Sequence, residues 1–205
     1  EDLMVDNTLL GDLIYDHFIV HEKIPTIDLQ SKKFKFFFFE AMFTYYFWID
    51  YLSNNNVKAI NITHCCYLNG IICRIAIKRN IDVYLFASKS VFKISENNKF
   101  AWKSYQLEKN YFKHLSNQEK SLLLIKAKKQ IDKRFSGEIG VDMAYSQKSA
   151  FNQSSNRAVL RKTNNRKVLI CSHCFFDSVH AYGNNSFTDF YEWSETLGQL
   201  SNNTN

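Results

Sequence analysis

"VKAINITHCCYLNGIICRIAIKRNIDVYLFA", residues 57–87, decides the fold. Residues 57–63 are rich in β-branched side chains and read as a strand. Leu68, Ile71, Ile72, Ile75 and Ala76 then recur at helical spacing, so 68–80 reads as a helix with one buried face. Its Arg74, Lys78 and Arg79 lie toward the C-terminal end, where positive charge suits the helix dipole. Residues 81–87 read as a second strand. Strand, helix and strand in about thirty residues make a βαβ unit, and such a unit implies a parallel sheet. Ligands of parallel sheets bind at the carboxyl ends of the strands. That places His64 at the expected mouth, with Tyr67 beside the start of the helix, where free N–H groups can meet an acceptor or a phosphate. Arg74 either serves that site or pairs with an acidic neighbour.

Upstream, "GDLIYDHFIVHEKIPTIDL" (11–29) is a short amphipathic stretch that becomes extended after Pro25. Gly11 permits close backbone approach. Asp12 and Asp16 are four residues apart, so on a helix they share a face, with Tyr15 beside them. Paired carboxylates suit general-base work or hydroxyl recognition; the plainer reading is a helix cap and a solvated Asp. Residues 33–53 read as a long, mostly buried helix closed by the turn-forming "SNNN". Part of it, "FKFFFFEAMFTYYFWIDYL" (34–52), is the one candidate membrane segment. Lys35, Glu40 and Asp50 interrupt it, and its charge-free run falls well short of the roughly 20 residues a span needs. A peripheral membrane contact stays compatible with it.

Downstream, 88–114 reads as an excursion from the sheet. Residues 116–135 read as a helix, with Ser116 and Glu119 forming a capping box. Residues 136–151 show no clear period. The polar, basic stretch 152–167 reads as a linker. These signals divide the chain into a first α/β domain over 1–151, the linker, and the start of a second, incomplete one over 168–205.

That second part opens with "VLICSHCFFDSVHAYGNNSFTDFYEW" (168–193). Residues 168–172 read as a buried strand that ends at Ser172 and His173; a loop to 187 follows, and Thr188 caps a helix. Cys171 and Cys174 have the spacing of half a zinc site, but Cys65, Cys66 and Cys73 supply no second pair, and structural zinc needs four ligands. A redox pair would sit at a helix N-terminus, whereas Cys171 falls inside the strand and reads as a buried structural thiol. No metal is expected. The loop carries more promise: His173, His180 and Tyr182 offer donors and a proton shuttle, and Asp177 offers an acceptor for a sugar hydroxyl or a general base.

The 205-residue chain carries a net charge of +6, 45% hydrophobic residues and 16% aromatic ones. The charge permits an anionic partner without selecting one, because the basic residues are scattered over 74–79, 126–134 and 157–167. Five Cys and no leader signature point to a reducing cytoplasm. Neither a Walker A motif nor G-x-G-x-x-G is present, which argues against a P-loop NTPase or a classical dinucleotide fold. Glu1 at the start and the polar end "SNNTN" read as the ends of a piece of a longer protein.

Three stretches together, "GDLIYD" followed by "PTIDL", "THCCYLNGIICRIAIKRNIDVYL" and "VLICSHCFFDSVHAYGNNSFTDFYEWSETL", resemble bacterial surface- and capsular-polysaccharide biosynthesis proteins, a family of GT-B-type glycosyltransferases. The resemblance implies two Rossmann-like domains facing a cleft, the first taking a glycan or glycolipid acceptor and the second a nucleotide-sugar donor. It implies no metal and no cofactor beyond that co-substrate, and no nucleic-acid partner. The location would be cytoplasmic, with peripheral contact at the inner face of the membrane. Asp16, His64 and His173 would be the catalytic candidates. Gly11, Asp12, Tyr15, Tyr67, Arg74, Ser172, Asp177, His180 and Tyr182 would line the cleft. The alternative is a non-enzymatic nucleotide- or nucleic-acid-binding α/β domain.

Overall fold

The structure is a computed structural model, and it describes residues 1–87, 90–100, 105–141, 145–152, 167–172, 174–183 and 185–203. It is mixed α/β. A short antiparallel pair, β1 (Met4–Val5) and β2 (Thr8–Leu9), leads into α1 (Gly11–Glu22) and α2 (Lys32–Asn54). The βαβ unit follows as β3 (Ala59–Ile62), α3 (Asn69–Lys78) and β4 (Asp82–Ala87). β3 and β4 run parallel, with Ala59 opposite Asp82 and Ile62 opposite Leu85. β5 (Ser90–Ile94) then turns back antiparallel onto β4, giving a mixed three-stranded sheet in the order β3-β4-β5. The excursion read into 88–114 therefore begins with a strand of the same sheet.

One core holds these pieces together. Ile60, Val83, Leu85 and Ile94 from the sheet meet Ile71, Ile75 and Ala76 of α3, Leu13, Ile14 and Phe18 of α1, and Phe37, Ala41 and Tyr45 of α2. β3 shows why the register is fixed: Ile60 is buried while its neighbours Ala59 and Asn61 are exposed, so a slip by one residue would turn the apolar side outward.

α2 departs from the sequence reading. It was expected mostly buried, yet it buries only Phe37, Ala41, Tyr45 and Leu52. Those positions lie on one stripe, and α1 and α3 cover only that stripe. Phe36, Phe39, Phe43, Tyr46, Phe47 and Tyr51 face solvent. No helix among the described residues is long and apolar enough to cross a membrane.

The chain forms two compact units, one of residues 1–103 with 171–205 and one of residues 104–170. The second holds α4 (Tyr105–His114) and α5 (Asn117–Phe135). The capping box at the start of α5 is present: Ser116 N–H donates to Glu119 Oε2 at 2.9 Å and Glu119 N–H to Ser116 Oγ at 3.3 Å. Residues 153–166, nearly all of the expected linker, lie outside the described residues.

The segment read as a buried strand, 168–172, is not one. It forms no strand, and Val168 and Leu169 are 83% and 87% exposed. An apolar run becomes a strand only where a neighbouring strand takes up its backbone hydrogen bonds, and none among the described residues pairs with it. Cys171 is accordingly exposed rather than buried. The segment from Cys171 belongs to the same unit as residues 1–103, and the last helix, α6 (Phe190–Asn203), follows it. Asp189, not Thr188, caps that helix, its Oδ1 accepting the Glu192 N–H at 2.9 Å.

Candidate functional site

α1 begins at Gly11, where the backbone of Glu1–Leu3 passes so close that a Cβ would lie 2.2 Å from the Glu1 carbonyl oxygen. Asp12, Tyr15 and Asp16 follow within two turns and project to one side of α1, as the four-residue spacing requires. Both carboxylates are buried, at 5% and 2% exposure, so each must find a partner.

Asp12 finds Arg74 of α3. Both terminal guanidinium nitrogens donate to its two oxygens, and Arg74 Nη1 also donates to the Leu9 carbonyl at 2.6 Å. Such a fork-on-fork pair is the geometry in which arginine binds a carboxylate best. Of the two readings open for Arg74, the acidic neighbour is the one realised. Its Nε is buried with no hydrogen-bond partner among the described residues.

Asp16 finds His180, which is 164 positions away in sequence. Asp16 Oδ2 accepts the His180 backbone N–H at 3.0 Å, and Oδ1 lies 2.7 Å from Nδ1 of the ring. The other ring nitrogen, Nε2, is 3.0 Å from Glu1 Oε2. Burial alone would lower the imidazole's proton affinity, but the Asp16 and Glu1 carboxylates outweigh it, so His180 titrates above the usual histidine range.

Two tyrosines complete the cluster. Tyr15 donates to Asp189 Oδ2 at 2.6 Å, and its ring meets the His180 ring edge-on at 5.2 Å. Burial first, and the Asp189 bond second, push its phenol far above the usual range. Asp189 moves the other way: burial would raise it, but hydrogen bonds from Thr26, Tyr15 and the α6 backbone prevail and lower it. Tyr67 stands at a left-handed backbone position, φ +56°, and its hydroxyl bonds Asp177 and Ser178. Behind it, His17 stacks on Phe37 with Nδ1 buried and without a hydrogen-bond partner among the described residues, and burial lowers its pKa. Burial also pushes the Cys65 and Cys66 thiols up to about 11, which leaves them protonated and poor nucleophiles at neutral pH.

The cluster opens on a cavity of about 350 Å³, whose lining includes Glu1, Asp2, Asp12, His180, Thr188 and Glu192. No Lys or Arg is among the described residues that line it. A second cavity, about 730 Å³, sits at the carboxyl end of β3 between Trp48 and Phe86, with Asn61, Thr63 and Asn69 in its wall. It carries no charged side chain among the described residues.

Of the residues singled out from sequence, Asp12, Tyr15, Asp16, Tyr67, Arg74, Asp177 and His180 come together through direct bonds. Gly11 supports them from the start of α1. His64 is exposed at the strand end and takes no part in the bonded cluster. Ser172 and Tyr182 are exposed and outside it as well. His173 lies outside the described residues. Sequence reasoning passed over Glu1, Ser178 and Asp189. For Asp189 a signal existed, an acid at a helix start, but it pointed only to capping. The chain matches no protein-family model, no curated protein and no solved structure.

Proposed function

We propose that the chain is part of a glycosyltransferase of bacterial surface- or capsular-polysaccharide assembly, of GT-B type, that moves a sugar from a nucleotide-sugar to a glycan or glycolipid acceptor. One observation carries the reading. The three stretches behind the family resemblance, far apart in sequence, are tied to one another by hydrogen bonds, Asp12 with Arg74, Asp16 with His180 and Tyr67 with Asp177, and Asp12 and His180 line a cavity.

The chemistry of that cavity fits the acceptor side. Its carboxylates repel phosphate and suit sugar hydroxyls, which donate well to carboxylate oxygens. The same charge disfavours the alternative of a polyanion-binding module at this place. Asp16 orients the His180 ring through Nδ1, and Nε2, which bonds Glu1 Oε2 at 3.0 Å, is the nitrogen that would take a proton from an acceptor hydroxyl standing in the place of the Glu1 carboxylate. Asp16 and Arg74 are then positioning residues, and His180 replaces Asp16 and His64 as the catalytic base. The nucleotide-sugar would bind elsewhere, without a resident metal or cofactor, and the enzyme would work in the cytoplasm or at the inner membrane face.

The test uses the full-length protein and a panel of nucleotide-sugars. Transfer should be lost in His180→Ala while the thermal melt stays cooperative. In the wild type, kcat/KM should rise with pH through a limb above the usual histidine range, because His180 must first lose its proton. Wild-type turnover in His180→Ala would remove the site, and failure to bind any nucleotide-sugar would remove the glycosyltransferase itself.

A further inference from the structure

The solvent side of α2 carries a pattern that its own packing does not need. Phe36, Phe39, Phe43 and Tyr46 follow one another at alternating spacings of three and four residues, the seam of a coiled coil. All four are exposed, Phe39 by 71% and Phe43 by 74%. The same register places exposed Lys32 at one end of the seam and exposed Asp50 at the other. Phe47 and Tyr51 widen the face on one flank. The stripe that α2 gives to its own core, Phe37, Ala41, Tyr45 and Leu52, lies apart from this seam. At about 150–250 Å² per aromatic ring, the exposed fractions add up to several hundred Å². That exceeds the largest patch on many monomers and approaches the roughly 800 Å² that each partner contributes to a standard interface.

We propose that this face joins two copies of the chain, α2 against α2, antiparallel about a two-fold axis. The seam is symmetric about the level of Ala41: Phe39 and Phe43 are equally far from it, as are Phe36 and Tyr46, and Lys32 and Asp50. An antiparallel pair therefore sets Phe39 on the partner's Phe43, Phe36 on the partner's Tyr46, and Lys32 on the partner's Asp50. Two-fold symmetry repeats each contact, as a closed dimer requires. The parallel arrangement would set Lys32 on the partner's Lys32 and Asp50 on the partner's Asp50, like charges at both ends. An anionic lipid surface would attract Lys32 but leave Asp50 and Glu40 against like charge, whereas the dimer pairs Lys32 with Asp50. Glu40 alone is mismatched in the dimer, because the copies of Glu40 flank the axis from both sides.

Sedimentation velocity of the full chain over a concentration series tests this. The expected result is a monomer–dimer equilibrium that Phe43→Ser weakens by about tenfold or more, with the far-UV spectrum unchanged. Lys32→Glu and Asp50→Lys should each weaken the dimer, and the chain carrying both should recover it, because the swapped pair forms across the axis. Glu40→Gln should tighten it. A chain that stays monomeric at high micromolar concentration overturns the proposal. So does a dimer indifferent to Phe43→Ser, or a double variant no better than its parents. Monomeric protein that sediments with phosphatidylserine vesicles, and loses that in Phe43→Ser, would give the face to lipid instead.

Discussion

α1 and α2 are neighbours in sequence and pack on each other, yet each inverts the usual sorting of side chains in its own way. α1 buries two aspartates, Asp12 and Asp16. α2 leaves six large aromatics in water: Phe36, Phe39, Phe43, Tyr46, Phe47 and Tyr51. Burying a carboxylate costs several kcal/mol unless it is paired, so α1 is stable only because Arg74 and His180 reach it from elsewhere in the chain. Exposing a phenyl ring costs the folded state almost nothing, since the unfolded chain exposes it too. The first inversion is thus tied to the fold, and the second is free to serve something outside it.

The contrast can be broken most forcefully at Arg74. Arg74→Ala leaves Asp12 buried without its partner and should lower the unfolding free energy by about 3–5 kcal/mol in urea titrations. Replacing both members, Asp12→Leu with Arg74→Met, should cost less than the single change, since no unpaired charge remains. A loss below about 1 kcal/mol for Arg74→Ala would mean that water reaches Asp12 and that α1 is not special.

A smaller effect belongs to His180 and depends on pH. Its folded pKa lies above the ordinary 6.5, so its contribution to stability is complete below that value and fades as pH rises through the folded pKa. His180→Ala should cost about 1.5–3 kcal/mol in mildly acid solution, the range for hydrogen bonds to charged groups, and progressively less as pH rises past neutral. Thermal melts of both proteins across that interval measure the difference. A gap that stays constant with pH would show that His180 is neutral in the folded state and holds Asp16 by hydrogen bonding alone.

The two inversions also differ in how far the sequence disclosed them. The βαβ unit was legible at 57–87 because apolar period and β-branched content are local signals. The shared face of Asp12 and Asp16 was legible for the same reason. Their partners were not. Nothing near Asp16 announces His180, because that contact depends on how residues 174–183 fold back, and no local period records a fold-back. Residues 168–172 misled for the converse reason: an apolar run states that it can be a strand, while its partner strand decides whether it becomes one. α2 misled because aromatics on every face read as burial, although the number of neighbouring elements sets how much of a helix is covered.

The smallest effect is the one that most cleanly separates the helices. Phe39→Ser replaces an aromatic that is 71% exposed, and in dilute solution the unfolding free energy should stay within about 0.5 kcal/mol of wild type. At higher concentration the two proteins should diverge. A face that binds a second folded copy adds stability by mass action, so the wild-type melting temperature should climb with concentration while that of Phe39→Ser stays level. Arg74→Ala, by contrast, should carry the same deficit at every concentration, since its cost lies inside one chain. If Phe39→Ser is instead destabilising in dilute solution, the ring packs within its own chain, and the aromatic face of α2 is as much a part of the fold as the buried aspartates of α1.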